Sequence, residues 1–467
     1  MLLRCSRFLR AAALLAGVGL GIGAPTAPAA TLQTILTNGP VSNRLNVVLL
    51  SEGYTTNQLA QFLVDATNAL AALVAFEPYQ EYQPYLNVFA ISVPSNQSGS
   101  DHPAWPSYRD TYFNSSYDLS DNLVTIPPNA VDPNYSDGQG RVDALLQTFL
   151  PACDLAMLLV NDPVPGGSGG PTAVVSRSSD ASRFVHESGH TLGGLGDEYD
   201  YGYPDQTTTA TEQPNTTQQT NRALLKWNAW IAPATPVPTV PQDAYPNVIG
   251  LFEGAHYQTN GWYRPKLDCL MRSYGNLPFC EVCREAMVLA FYRKLRPVDG
   301  FTPAGTNLSV TSTAPLTFSL ALLQPATHRL GVQWSTNGTP VPGATNVTLT
   351  LPPAALGDGS HVVQAEVQDA TLFVRNDPTN LLHQTIRWNV AVNLAQVWLD
   401  LAAWLPGGNF TFRVGGSAPR GVVIQSSTNL TSWISLATNS LAGGPFSYTN
   451  AGAANLPGQF FRAQILP

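Results

Sequence analysis

His186, Glu187 and His190 stand in the order H-E-x-x-H within the stretch HESGHTLGGLGDEY, His186 to Tyr199. On a helix, positions i and i+4 share a face, so both imidazoles can grip one Zn²⁺ while Glu187 sits beside the metal. A zinc ion with three protein ligands and one open position makes bound water a nucleophile at neutral pH. Composition alone yields this spacing in about 0.2% of chains of this make-up, so two ordinary histidines on a helix are the poorer reading. Asp197 or Glu198 supplies the third ligand if the chain swings back after the helix. Gly193, Gly194 and Gly196 permit that turn, because glycine takes positive φ at no steric cost. Before the motif, Ala181 to Val185 is helix-compatible, and apolar Phe184 and Val185 can anchor it.

The elements that must position these residues alternate in type. Leu45 to Leu50, Tyr85 to Val93 and the continuous apolar run Leu155 to Val160 read as strands, and such runs suit a sheet covered on both faces. Thr55 and Gln58 form a capping box. Leu59, Phe62, Leu63, Ala66, Leu70, Leu73 and Val74 follow at helical spacing. Gly140 to Leu150 and Pro278 to Leu295 are also helical in pattern, and Thr172 to Ser176 is a further short strand. Strand and helix in turn predict an α/β layer structure. Residues 201 to 245 are rich in Thr, Gln, Asn and Pro and read as a long surface excursion, with one amphipathic island at Asn221 to Ile231.

Past Arg296-Pro297-Val298-Asp299-Gly300 the character changes. Leu330 to Trp334, Asn346 to Leu351 and His361 to Val367 are short runs parted by Asn-Gly, Pro-Gly and Gly-Asp-Gly turns, the pattern of a β-sandwich. A second such stretch runs from about Val397 to Pro467. The expected organisation is a leader over 1–30, a catalytic domain over 31–299, an Ig-like β-sandwich over 300–395 and a C-terminal β module over 396–467. A length of 467 residues agrees with about three domains.

A hydrophobic content of 44% excludes a disordered chain. The net charge of −8 and pI near 5.3 argue against nucleic acid as the main partner. Arg4, Arg7 and Arg10, the apolar Ala11 to Ala24 and then Ala27-Pro28-Ala29 have the layout of a secretory signal peptide. Its removal takes away three positive charges, moving −8 to −11, and leaves no apolar run able to span a bilayer. Export places Cys153, Cys269, Cys280 and Cys283 in an oxidising compartment, and a disulfide within the trio Cys269, Cys280 and Cys283 is expected. A zinc site built on those thiols is the alternative.

HExxHxxG followed by an acidic residue resembles the metzincin-like zinc peptidases. There the third ligand usually lies ten residues after the first histidine; here that position is Gly196, and Asp197 comes one later. A narrower resemblance accounts for the shift. HESGHTLGGLGDEY, RLNVVLLSEGY (Arg44 to Tyr54), LFEGAHY (Leu251 to Tyr257) and GWYRPKLDCLMRS with PFCEVC (Gly261 to Cys283) together resemble the IgA-peptidase family of secreted bacterial metallopeptidases, over about residues 32 to 295. The resemblance implies a metzincin-like α/β domain of mixed sheet plus active-site helix, one catalytic Zn²⁺ and endopeptidase activity on a protein or peptide. Carried over, His186, His190 and Asp197 are metal ligands, Glu187 is the general base, and Met271 is a methionine turn beneath the metal. Glu198 is the rival third ligand. Tyr274, Tyr263 and His256 are candidates to steady the oxyanion, and Thr191 and Tyr199 have no assigned role. The alternative function is a secreted adhesion protein with a degenerate peptidase domain, binding a glycan or cell-surface ligand through its β modules; an intact Glu187 argues against it.

Overall fold

The computed structural model describes residues 30–466 apart from 129–136, 203–210, 242–244, 246, 276, 395, 418–419 and 456–457. But for Ala30, the expected leader lies outside the described residues. The first part of the chain runs β1 (Thr31–Leu36), β2 (Leu45–Glu52), α1 (Leu59–Val74), β3 (Leu86–Ser92), β4 (Ser116–Tyr117), β5 (Val124–Thr125), α2 (Gly138–Phe149) and β6 (Leu155–Val160). It continues through β7 (Gly167–Ser168), β8 (Ala173–Ser176), α3 (Ala181–Gly193), β9 (Phe252–Ala255), β10 (Gln258–Arg264) and α4 (Glu281–Lys294). Six strands form one mixed sheet in the order β1-β3-β2-β6-β8-β7, parallel from β3 to β8 and antiparallel at both edges.

Alternation along β2 divides the core in two. Val47 and Leu49 join Phe62 and Leu73 of α1, Val185 of α3 and Met287 of α4, whereas Val48 and Leu50 face Val142 and Leu145 of α2. Every residue of β2, β3, β6 and β8 is buried, as the apolar runs predict for a sheet covered on both faces. The Thr55–Gln58 capping box is formed, although it opens a single tight turn that leads into α1. The helix α3, bearing His186 and His190, lies against β8, α1 and α4, which holds the chemistry on a rigid element.

Beyond α4 the chain is almost wholly β. Strands β11 (Val298–Thr302), β12 (Asn307–Val310), β13 (Leu316–Leu322), β14 (Gly331–Thr336), β15 (Thr339–Pro340), β16 (Thr348–Leu351), β17 (Gly359–Gln368) and β18 (His383–Val392) make sheets of three and five strands. Phe318, Trp334 and Trp388 fill the core between them. Six last strands, spread over Val397–Ile465, form two three-stranded sheets around Phe412, Val414, Val422 and Ile424. Among the described residues no helix is long and apolar enough to cross a membrane.

Polar contacts join the first β module to the mixed-sheet part. His328 Nδ1 lies 2.7 Å from Glu81 Oε1 and its Nε2 lies 2.6 Å from Asp369 Oδ1. The Tyr82 and Tyr292 hydroxyls donate to Asp369 Oδ2 at 2.7 and 2.6 Å. Burial pulls the His328 pKa down, but Asp369 and Glu81 together raise it above its ordinary value. A group whose folded pKa is raised stabilises fully below its unfolded pKa, about 6.5, and loses that stabilisation as pH climbs through the folded value. His328 keeps part of its surface in water, so screening limits the effect to about 1 kcal/mol. His328→Asn is therefore expected to melt about 2–4 °C below wild type at pH 5.5, the gap closing in alkaline buffer. A melting series across pH checks it; a gap independent of pH contradicts it.

Candidate active site

Asp180 caps α3, its carboxylate accepting from Arg183 N at 3.0 Å. Gly194 ends the helix in the left-handed region (φ 62°), a conformation that a Cβ disfavours. The chain then doubles back: Leu195 N bonds Gly189 O, and the Asn215 side-chain amide bonds both Gly196 N and Gly196 O. This return delivers Asp197 to the two histidines.

The donor atoms meet at one point. His186 Nε2 and His190 Nε2 are 3.0 Å apart, and Asp197 Oδ1 is 3.2 and 3.3 Å from them. A tetrahedral ion held at about 2.0–2.1 Å separates its ligands by about 3.3 Å, so this triangle has the size of a metal site. Each imidazole donates its Nδ1–H to a backbone carbonyl, His186 to Leu270 O at 2.9 Å and His190 to Leu195 O at 2.7 Å. That turns both Nε2 atoms to one point, where a bound metal would displace any proton they carry. Asp197 Oδ1 is buried and has no hydrogen-bond partner, the mark of an oxygen aimed at a cation. Burial opposes charge on both partners, yet Asp197 holds the His190 pKa up to about 9, and the histidines keep the Asp197 carboxyl far below the usual range. The donor set therefore fits Zn²⁺.

Glu187 lies beside this triangle, 2% exposed, and burial pushes its pKa above the ordinary carboxylate value. The Tyr274 hydroxyl donates to Glu187 Oε1 at 3.4 Å, its ring is 4.9 Å from that of His186, and the Arg183 guanidinium covers the ring at 4.3 Å. The Met271 sulfur lies beneath α3, where a Cβ on Gly189 would come within 3.1 Å of it. His186, Glu187, His190, Asp197 and Tyr274 floor a cleft of about 690 Å³. Gly167 to Gly170 at the sheet edge, the loop with Asp118 and Asn122, and Tyr199, Tyr201 and Tyr257 form its sides. A Cβ on Gly169 would sit 2.3 Å from the His190 Cβ, so only glycine lets the edge strand approach the site this closely.

Of the residues singled out in the sequence, His186, Glu187, His190, Asp197, Met271 and Tyr274 are brought together. Tyr263 lies off the site and donates to Glu253. The His256 ring packs on Trp262, while its backbone N–H bonds Asp197 O at 2.9 Å. Glu198 faces away from the histidines, 0% exposed, accepting from Asn215 Nδ2 and from the thiols of Cys269 and Cys283. Burial and the Cys280 sulfur push its pKa up to about 8. The expected disulfide does not form: all three cysteines are free, and the Sγ atoms of Cys280 and Cys283 are 3.6 Å apart where a bond requires about 2.05 Å. The physical reason is that the Cys269 and Cys283 thiols turn to the Glu198 carboxylate, while Cys280 meets Cys283 only at contact distance.

Tyr257 is the site residue that sequence reasoning missed; its hydroxyl donates to Asp197 Oδ2. His256 and Tyr257 form a two-residue turn between β9 and β10, with φ of 54° and 67°. Such turns favour Asn-Gly, and positive φ at two bulky residues is strained. Bonds from His256 N to Asp197 O and from Tyr257 N to Tyr199 O (3.0 Å) hold the turn, so the strain goes into aiming one phenol at one carboxylate.

The model of the family described as IgA Peptidase M64 matches residues 34–243 and 239–291. No curated protein matches the chain. Among solved structures, fibronectin(III)-like modules of Clostridium thermocellum CbhA are 9% identical, covering 32% of this chain and 77% of that one at a TM-score of 0.15. Dimeric latent PorU from Porphyromonas gingivalis is 13% identical, covering 36% and 18% at 0.14. Bacteroides uniformis β-glucuronidase 3 is 9% identical, covering 44% and 27% at 0.15. Likenesses at these TM-scores carry no weight for fold or function.

Proposed function

The chain belongs to the IgA peptidase M64 family, and from that premise we propose that it is a zinc-dependent endopeptidase with a metzincin-like catalytic domain. The observation that carries the reading is the triangle of His186 Nε2, His190 Nε2 and Asp197 Oδ1, with edges of 3.0 to 3.3 Å and an otherwise unpartnered Asp197 oxygen. His186, His190 and Asp197 hold the ion. Zinc so held supplies Lewis-acid polarisation of the scissile carbonyl and lowers the pKa of water to about 7.

The chain's own residues do the rest. Glu187 takes the proton from the attacking water and delivers it to the leaving amine, and burial lifts its pKa towards the range such a shuttle needs. Tyr274, whose hydroxyl donates to Glu187, would turn to the developing oxyanion. The backbone of Ser168 to Gly170, which lines the cleft, offers groups along which an extended peptide could lie. Tyr257 holds Asp197, so Tyr257→Phe is expected to cost about 10–100-fold in metal affinity with the fold unchanged, measured by chelator competition. Unaltered affinity would remove Tyr257 from this role.

The same reading divides the chain ahead of β11 (Val298–Thr302), just before the expected 299/300, and at 395/396, with Ig-like and C-terminal accessory β modules built round clusters of their own, although Leu323 and Leu382 of the first module join the peptidase core, and takes the protein to be exported. An unbiased peptide library tests the activity: internal cleavage, stopped by a zinc chelator and restored by added zinc, is expected. Cleavage indifferent to chelation, or none at all from zinc-loaded protein, overturns the proposal.

A further inference from the structure

Behind the active site lies a second cluster, made of Glu198 from the loop after α3, Cys269 from the turn before Met271, and Cys280 and Cys283 from the start of α4. One donor atom from each lies within 4.8 Å of the others, and all four residues are at most 2% exposed. We propose that these four side chains bind a second zinc ion, a structural one, which ties the loop carrying Asp197 to the methionine turn.

The spacing suits a tetrahedral ion. With Zn–S bonds of about 2.3 Å, two thiolates stand about 3.8 Å apart. The Cys280 and Cys283 sulfurs are 3.6 Å apart, and the Cys269 and Cys283 sulfurs lie 3.2 and 3.1 Å from the two Glu198 oxygens. Cys280 stands at the N-cap position of α4, without a side-chain capping bond, and Cys283 sits in its first turn, where the helix N-terminus favours anionic sulfur. The Met271 N–H points at the Cys269 sulfur at 3.3 Å. In this buried cluster the Glu198 carboxyl and the thiols are short of countercharge: Arg264 acts on Glu198 only at a distance, and among the described residues no ion pair reaches it. A divalent cation supplies that charge. Four protein donors in a dry pocket leave no position for water, which separates this site from a catalytic one.

Its consequence runs through the backbone. Glu198 follows Asp197 directly and donates its N–H to Met271 O at 2.8 Å, and neighbouring Leu270 O takes the His186 Nδ1–H. One ion behind the site would thus fix the approach of two ligands in front of it. The inference stands on its own residues and holds whether or not the front site binds metal.

The test uses full-length His186→Ala/His190→Ala protein purified without reductant, which removes the front site. Elemental analysis is expected to find about one zinc per chain, against about two in wild type. Replacing zinc by Co²⁺ should give a thiolate-to-cobalt charge-transfer band, lost in Cys280→Ser/Cys283→Ser. In wild type, independent of how any variant folds, peptide mapping should find Cys269, Cys280 and Cys283 alkylated only after denaturation with a chelator. A disulfide among the three, a double-histidine variant free of metal, or bound cobalt without the thiolate band overturns the proposal.

Discussion

Glu187→Gln is expected to lose about 10²–10⁴-fold in kcat while keeping its zinc. The amide is nearly the same size as the carboxylate, so the packing of a residue that is 2% exposed is preserved. No donor of the proposed metal triangle, His186, His190 and Asp197, is removed either. What disappears is the carboxylate proposed to accept the water proton and pass it on. Binding of substrate should change little, so the loss falls on kcat instead of KM. Steady-state cleavage with parallel zinc analysis checks both halves. More than a tenth of wild-type activity in a zinc-replete variant would refute the assignment.

The second large effect belongs to His186→Ala, which is expected to lose the metal itself and with it all measurable cleavage. The loss of affinity should exceed the roughly 10–100-fold that removing an outer partner costs, because a direct donor is gone. Asp197 and His190 would remain 3.3 Å apart as an ordinary buried pair. That pair is self-satisfying when the histidine is protonated, which further disfavours the ion. Zinc titration of chelator-treated protein measures it. Saturating, stoichiometric binding at the front site of the variant, with activity regained, would show that His186 is not a ligand.

Much of this candidate site's geometry was legible in the sequence because its residues are local. His186, Glu187 and His190 lie within one helical turn, and helical spacing alone puts them on one face. The buried strands were equally plain: Leu155–Val160 is apolar throughout and is β6 from end to end. Asp197 was preferred to Glu198 only through the family resemblance, since adjacent residues in a non-helical segment face opposite ways and the register depends on how Gly194 ends the helix. Tyr257 was hidden for a related reason. Its reach to Asp197 depends on a two-residue turn with positive φ at a His and a Tyr, residues whose types argue against that turn. The cysteines misled because redox context favours pairing, whereas the fold brings a carboxylate from 71 positions upstream of Cys269 into their midst.

The central claim is that one ion sits where His186, His190 and Asp197 converge. Anomalous diffraction from crystals of the Glu187→Gln protein, collected on both sides of the zinc absorption edge, tests it most directly. The account predicts a zinc-specific peak at about 2.0–2.2 Å from His186 Nε2, His190 Nε2 and Asp197 Oδ1 together. No peak there from protein crystallised in zinc, with the two imidazoles turned apart, would contradict it.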